Sequence, residues 1–147
     1  NLMQSKNIID AYCGVGSIGI YVSDIVENVT GIENNKNAVA DAVENALLND
    51  QSNCRFLAGN VEDILPGLEE NFDTIIFDPP RKGLDGKIIS AIPGYTSKII
   101  YISCDPTTQQ RDVAKFLAKG FEAKVMQPFD MFPNTYHIEN VIVLERR

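Results

Sequence analysis

Several short stretches of this chain hold residue types at spacings that could do chemistry. In DAYCGVGSIG, Gly14, Gly16 and Gly19 stand in a G-x-G-x-x-G pattern after an apolar run. Glycines so spaced let the backbone turn tightly and approach a ligand beside a helix amino terminus. Glu33 closes the next apolar run about 20 residues on, where a carboxylate can hold the two hydroxyls of a ribose. Together they point to a nucleoside cofactor, with a nicotinamide dinucleotide and S-adenosylmethionine both open. Further along, FDPPRKG carries Asp78-Pro79-Pro80. This is a stiff turn after a strand, at the sheet edge where open α/β proteins build their sites. YISCDP ends another run on Cys104, which is either a nucleophile or a small buried apolar residue.

These residues need a scaffold, and apolar runs alternating with helical patterns supply one from end to end. Strands are expected at 7–12, 28–33, 54–59, 72–77, 98–103, 122–127 and 137–145, and helices at 17–25, 35–50, 61–68, 86–92 and 106–119. Asp105 can cap the helix that Pro106 opens, and Gly120 follows its last turn. Short runs apolar throughout read as strands buried on both faces of a parallel sheet. Only PFDMFPNTY separates the last two, too little for a crossover, so they pair antiparallel. The expectation is an α/β fold: seven strands, mostly parallel, an antiparallel last strand, and helices on both faces.

Composition narrows the function. A chain of 147 residues makes one domain with a real core. The net charge of −7 is a poor surface for gripping nucleic acid unaided. Three cysteines without metal-ligand spacing and a single histidine argue against a metal site or a disulfide framework. No stretch is long and apolar enough for a membrane span and the start has no signal-peptide pattern, so the expected location is cytoplasmic.

Asp/Asn-Pro-Pro turns like this one recur in methyltransferases acting on flat nitrogenous groups. Those that methylate amines usually have an aromatic next, whereas here Arg81 follows. Taken in order, DAYCGVGSIGI, GIE, GN, FDPPRKGL, YISCDP and FDMFPNTYHIENV resemble the S-adenosylmethionine-dependent RNA uracil-5-methyltransferases of transfer and ribosomal RNA. The resemblance covers essentially the whole chain and implies a Rossmann-like class I methyltransferase fold. It implies Cys104 as nucleophile and Glu139 as base. It also places Tyr12, Gly14, Gly16, Ser17, Glu33, Asn60 and Asp78 around the cofactor, with Glu33 on the ribose, Asn60 at the adenine end and Asp78 near the methionine end and the target base. Without the resemblance, Glu139 reads as an ordinary strand glutamate.

The chemistry implied needs both catalytic groups. C5 of uracil is too weak a nucleophile to take a methyl group until a thiolate adds at C6, and a base must then remove the C5 proton. A cysteine just before a helix amino terminus is favoured as the anion. Phe129 and Phe132 are candidates for stacking a flipped-out base or for core packing. His137 is expected to be structural, and Cys13 and Cys54 to be packing residues. DNA cytosine-5 enzymes would place their cysteine where Arg81-Lys82-Gly83 stands, and no Tyr-Lys or His pair supports an oxidoreductase. A non-catalytic cofactor-binding module stays open. The chain departs from the family in starting almost at the first glycine motif, in giving Gln4 no matching context, and in having Tyr136 where proline is common. The expectation is a catalytic domain over 1–147, with RNA held mainly by an upstream part.

Overall fold

A computed structural model describes residues 5–147, so Gln4 lies outside it. The seven expected runs form one sheet: β1 (Asn7–Ala11), β2 (Asn28–Glu33), β3 (Cys54–Ala58), β4 (Thr74–Phe77), β5 (Lys98–Ser103), β6 (Phe121–Phe129) and β7 (Glu139–Arg146). Their spatial order is β3-β2-β1-β4-β5-β7-β6. The pairs among β1 to β5 are parallel, and β7 runs antiparallel to both β5 and β6. The expected antiparallel last strand is therefore present. It lies between β5 and β6, a placement that the short connection alone did not dictate.

Helices α1 (Ser17–Val22), α2 (Lys36–Leu48), α3 (Val61–Ile64), α4 (Gly86–Ala91) and α5 (Pro106–Ala118) join the strands. Asn35, Asp85 and Asp105 cap α2, α4 and α5 by accepting backbone N–H groups of the first turn. Two expected helices end early. Ser23 donates its hydroxyl to Ile20 O at 2.6 Å, and the chain tightens there into a 3-10 turn. Pro66 cannot donate an N–H, so the turn after α3 is also 3-10. β4 starts two residues later than expected, because Asp73 accepts the Lys6 and Asn7 N–H groups at 2.7 and 3.1 Å.

Both faces of the sheet are covered, as expected. Ile9, Ile32, Ile75 and Leu144 pack with α3, α4 and α5 on one face, and Ile8, Val29 and Ile76 pack with Val22 of α1 on the other. Phe77, Tyr101, Phe116 and Phe121 form a run of ring contacts, centroids 6.1 to 6.4 Å apart, beneath α5. Among the described residues no helix is long and apolar enough to cross a membrane.

One core residue is a carboxylate. Asp10 in β1 has no exposed surface; Oδ2 accepts the Gly19 N–H at 2.8 Å, and Oδ1 has no partner among the described residues. Burial pushes its carboxyl up to about 7 against the pull of the Gly19 N–H, and the charge of Asp78 adds to the rise. In the unfolded chain it titrates near 3.9, roughly the ordinary value. The folded state thus holds this proton more tightly, and the stability it contributes is whole below about pH 4 and lost as the pH rises to about 7. A shift of this size is worth on the order of 4 kcal/mol. Asp10→Asn, which cannot ionise, should flatten that fall in urea unfolding measured from pH 4 to 8; an unchanged slope would exclude Asp10 as its source.

Candidate active site at the carboxyl edge of the sheet

Tyr12 follows β1 directly and holds φ 65, a conformation that residues other than glycine seldom adopt. The Tyr12 and Cys13 N–H groups both donate to Ile32 O, at 2.9 and 3.1 Å, and fix that strained turn. Gly16, with φ 84, sits just before α1, and a Cβ there would stand 3.0 Å from the Phe56 ring. Glu33 straps the same turn: one carboxylate oxygen accepts the Gly14 N–H at 3.2 Å and the other the Asn35 N–H at 2.8 Å. Ser17 is the first residue of α1 and is exposed. Burial, then the charges of Asp10 and Glu33, pushes the Cys13 thiol up to about 12, and burial also raises that of Cys54.

A polar cleft of about 390 Å³ opens beside this turn, walled by Tyr12, Glu33, Asn60, Asp78 and Lys82. It brings together residues from the ends of β1, β2, β3 and β4. Gly14, Gly16 and Ser17 shape the neighbouring turn without forming its walls. Lys82 went unassigned in the sequence although it lies within FDPPRKG; the signal was a cation two residues past the prolines. Burial, then the negative charges of Glu62, Asp85 and Asp112, pushes the Tyr12 phenol up and keeps it a hydrogen-bond donor.

Next to it lies an apolar pocket of about 380 Å³ lined by Asp78, Cys104, Glu139, Phe129, Phe132 and Met131. Asp78 lines both cavities. Cys104 follows β5 directly, one residue before the capping Asp105, and Glu139 opens β7. Desolvation in the pocket wall, then the negative charge of Glu139, pushes the Asp78 carboxyl up, although the residue as a whole is exposed. His137 lies tilted against Tyr136, ring centroids 4.2 Å apart, and does not line the pocket. A larger cavity of about 450 Å³ at the amino edge of the sheet holds none of these residues, and its Arg55 is taken up by Glu70 and Thr30.

The amino half of α5 holds the loop after Asp78 in place. Asp112, without exposed surface, accepts the Leu84 N–H at 2.7 Å and the Tyr101 hydroxyl at 3.0 Å. Burial alone would raise its carboxyl, but bonds from Arg111, Leu84 and Tyr101 outweigh it and hold the group below its ordinary value. Arg111 also donates to Lys82 O, and the Thr108 hydroxyl to Arg81 O, both at 3.0 Å. Gly83 runs so close that a Cβ would sit 2.5 Å from Asp112 Oδ2.

Residues 2–147 match the family model described as tRNA (Uracil-5-)-methyltransferase. The chain belongs to that family. It is 46% identical over 149 residues to an uncharacterized RNA methyltransferase of Enterococcus faecalis, covering 99% of this chain and 33% of that protein. A second such protein, from Caldanaerobacter subterraneus, is 42% identical over 145 residues, covering 98% and 32%. The tRNA (uracil-54, C5)-methyltransferase of Pyrococcus abyssi, solved in complex with S-adenosyl-L-homocysteine, has the same fold at a TM-score of 0.86. It is 33% identical, over 97% of this chain and 35% of that one. The chain thus spans about a third of the length of the curated relatives it matches. A precorrin-6y C5,15-methyltransferase from Geobacter metallireducens, 12% identical with a TM-score of 0.74 over 99% of this chain and 83% of that one, shares the fold alone. This is the Rossmann-like class I fold that the motifs implied.

Asp112→Ala would leave the Leu84 N–H and the Tyr101 hydroxyl unpaired in the interior. It should cost about 3 kcal/mol in urea unfolding and speed hydrogen exchange at the Leu84 amide. A loss below about 1 kcal/mol would show that the loop holds itself.

Proposed function

We propose that this chain carries the catalytic centre of an RNA uracil-5-methyltransferase, which transfers a methyl group from S-adenosylmethionine to C5 of a uridine in transfer or ribosomal RNA. The observation that carries this reading is Asp78 standing in the wall of both cavities, the polar cleft and the pocket that holds Cys104 and Glu139. The Pyrococcus abyssi relative, by its name a tRNA enzyme, supports transfer RNA as the substrate.

The residues of the cleft suit the cofactor. Its volume is that of an ordinary ligand pocket. Glu33 would accept from the ribose hydroxyls, Asn60 would meet the adenine, and Tyr12 and Asp78 would flank the methionine end. When bound, S-adenosylmethionine supplies a sulfonium methyl group that an electron-rich carbon can take, leaving a neutral thioether. Phe129 and Phe132 would hold the extruded uracil. The Cys104 thiolate adds to C6, the C5=C6 π pair becomes a C4=C5 bond as the C4=O pair moves onto oxygen, and the resulting enolate makes C5 nucleophilic. After C5 is methylated, the Glu139 carboxylate takes its proton. The C–H electron pair re-forms C5=C6, and the C6–S bond breaks to return the thiolate. With a net charge of −7, these residues suit chemistry on one base better than a grip on the phosphate backbone.

RNA carrying 5-fluorouridine has no C5 proton to give up, so in the full-length protein with cofactor it should stay covalently attached. Cys104→Ala should abolish that adduct, and an adduct surviving the change would sink the assignment. Calorimetry tests the cleft separately. S-adenosylmethionine should bind, Glu33→Ala should weaken it about 10- to 100-fold through loss of a charged hydrogen-bond acceptor, and NADH should not compete. NADH binding in its place would overturn the reading.

A further inference from the structure

The pocket holds a nucleophile and a base from different strands, so something must fix the end of β7 against the end of β5. Side chains alternate along a strand, and at the start of β7 Glu139 faces the pocket while Asn140 points to the opposite face, where it is buried. There it meets Gln109 of α5, only 1% exposed. The Asn140 Nδ2 donates to Gln109 Oε1 at 2.6 Å, and Gln109 Nε2 donates to Asn140 O at 2.9 Å and to Tyr101 O at 3.0 Å. Gln109 is itself fixed, since its N–H donates to Asp105 O at 3.1 Å, next to Cys104. The Gln109 side chain therefore bonds β5 and β7, while its backbone holds the turn after the cysteine. Every donor of its amide is satisfied, and a buried amide so paired has one low-energy arrangement.

We propose that the Gln109–Asn140 amide pair is a positioning device that sets Glu139 against the C5 proton of the substrate held by Cys104. This rests on Glu139 being the base. Neither amide touches the pocket, so both act through the backbone of residues 139 and 140. The pair governs the step after methyl transfer and leaves attack by the thiolate alone. A base displaced by a fraction of an ångström removes the proton slowly, and methylated RNA then stays bonded to the cysteine.

The test uses ordinary uridine RNA and the full-length protein. Gln109→Leu combined with Asn140→Val removes both amides together, so no side-chain amide is left unpaired and only the Tyr101 and Asn140 carbonyls lose a donor. Cofactor affinity and KM for RNA should stay within about twofold, while kcat falls about 10-fold or more and a covalent RNA–protein band accumulates on denaturing gels. A loss that was merely structural would lower adduct formation and turnover together. Normal turnover without a band, or loss of the band along with activity, overturns the proposal. Glu139→Gln run alongside separates the two failures: normal turnover there refutes the base itself, whereas a strong band there with none in the double variant refutes only the positioning. If the double variant does not fold, Asn140→Ser, which shortens one arm of the pair, reads the same ratio of band to product.

Discussion

Asp112 is a carboxylate with no exposed surface, and a charge so placed is tolerable only while its donors stay put. Those donors include the Leu84 N–H, the Tyr101 hydroxyl and the Arg111 guanidinium. Each belongs to a different part of the site: the loop after Asp78, strand β5 and helix α5. Moving any one leaves a buried charge short of a partner, so the three move together or not at all. The same helix is capped by the residue after Cys104 and braces β7 through Gln109. A parallel sheet delivers strand ends to one edge without fixing their mutual distances, and here α5 supplies that missing constraint.

The opposite end of the site gains its shape from strain and burial instead. Tyr12 accepts a left-handed backbone at a position where glycine would be comfortable, which keeps a phenol in the wall of the cleft. Asp10 lies beneath the turn with one oxygen unpartnered among the described residues and a carboxyl that burial pushes up to about 7. Neither choice favours stability in isolation. Local conflicts of this kind gather where a fold serves a site rather than itself.

Most of the scaffold was legible because its signals are local. Period, punctuation and caps placed every strand and helix, and errors arose where a side chain intervened, as with Ser23, Pro66 and Asp73. The candidate residues were legible through their motifs, and the structure gathers Tyr12, Glu33, Asn60 and Asp78 at one cleft and Cys104 with Glu139 at one pocket. What did not show was partnership across the chain. Gln109 and Asn140 stand 31 residues apart, and Leu84 and Asp112 stand 28 apart. Each polar residue looks like an ordinary surface group until the fold buries it. Nor could the length of the β6–β7 connection reveal that β7, rather than β6, pairs with β5.

The pocket also poses an electrostatic problem that its own residues address. A thiolate at Cys104 would join two carboxylates, Asp78 and Glu139, in a small apolar space where like charges repel strongly. Desolvation and the Glu139 charge both make Asp78 a readier proton acceptor than an ordinary aspartate. Each proton that Asp78 takes up removes one negative charge from the wall it shares with Glu139 and Cys104. Because Asp78 also borders the cleft, its charge is felt on both sides, including at the buried Asp10 beneath the glycine turn. A ligand that changed the protonation of Asp78 from one cavity would therefore alter the field in the other and at Asp10, tying the two cavities electrostatically as well as sterically.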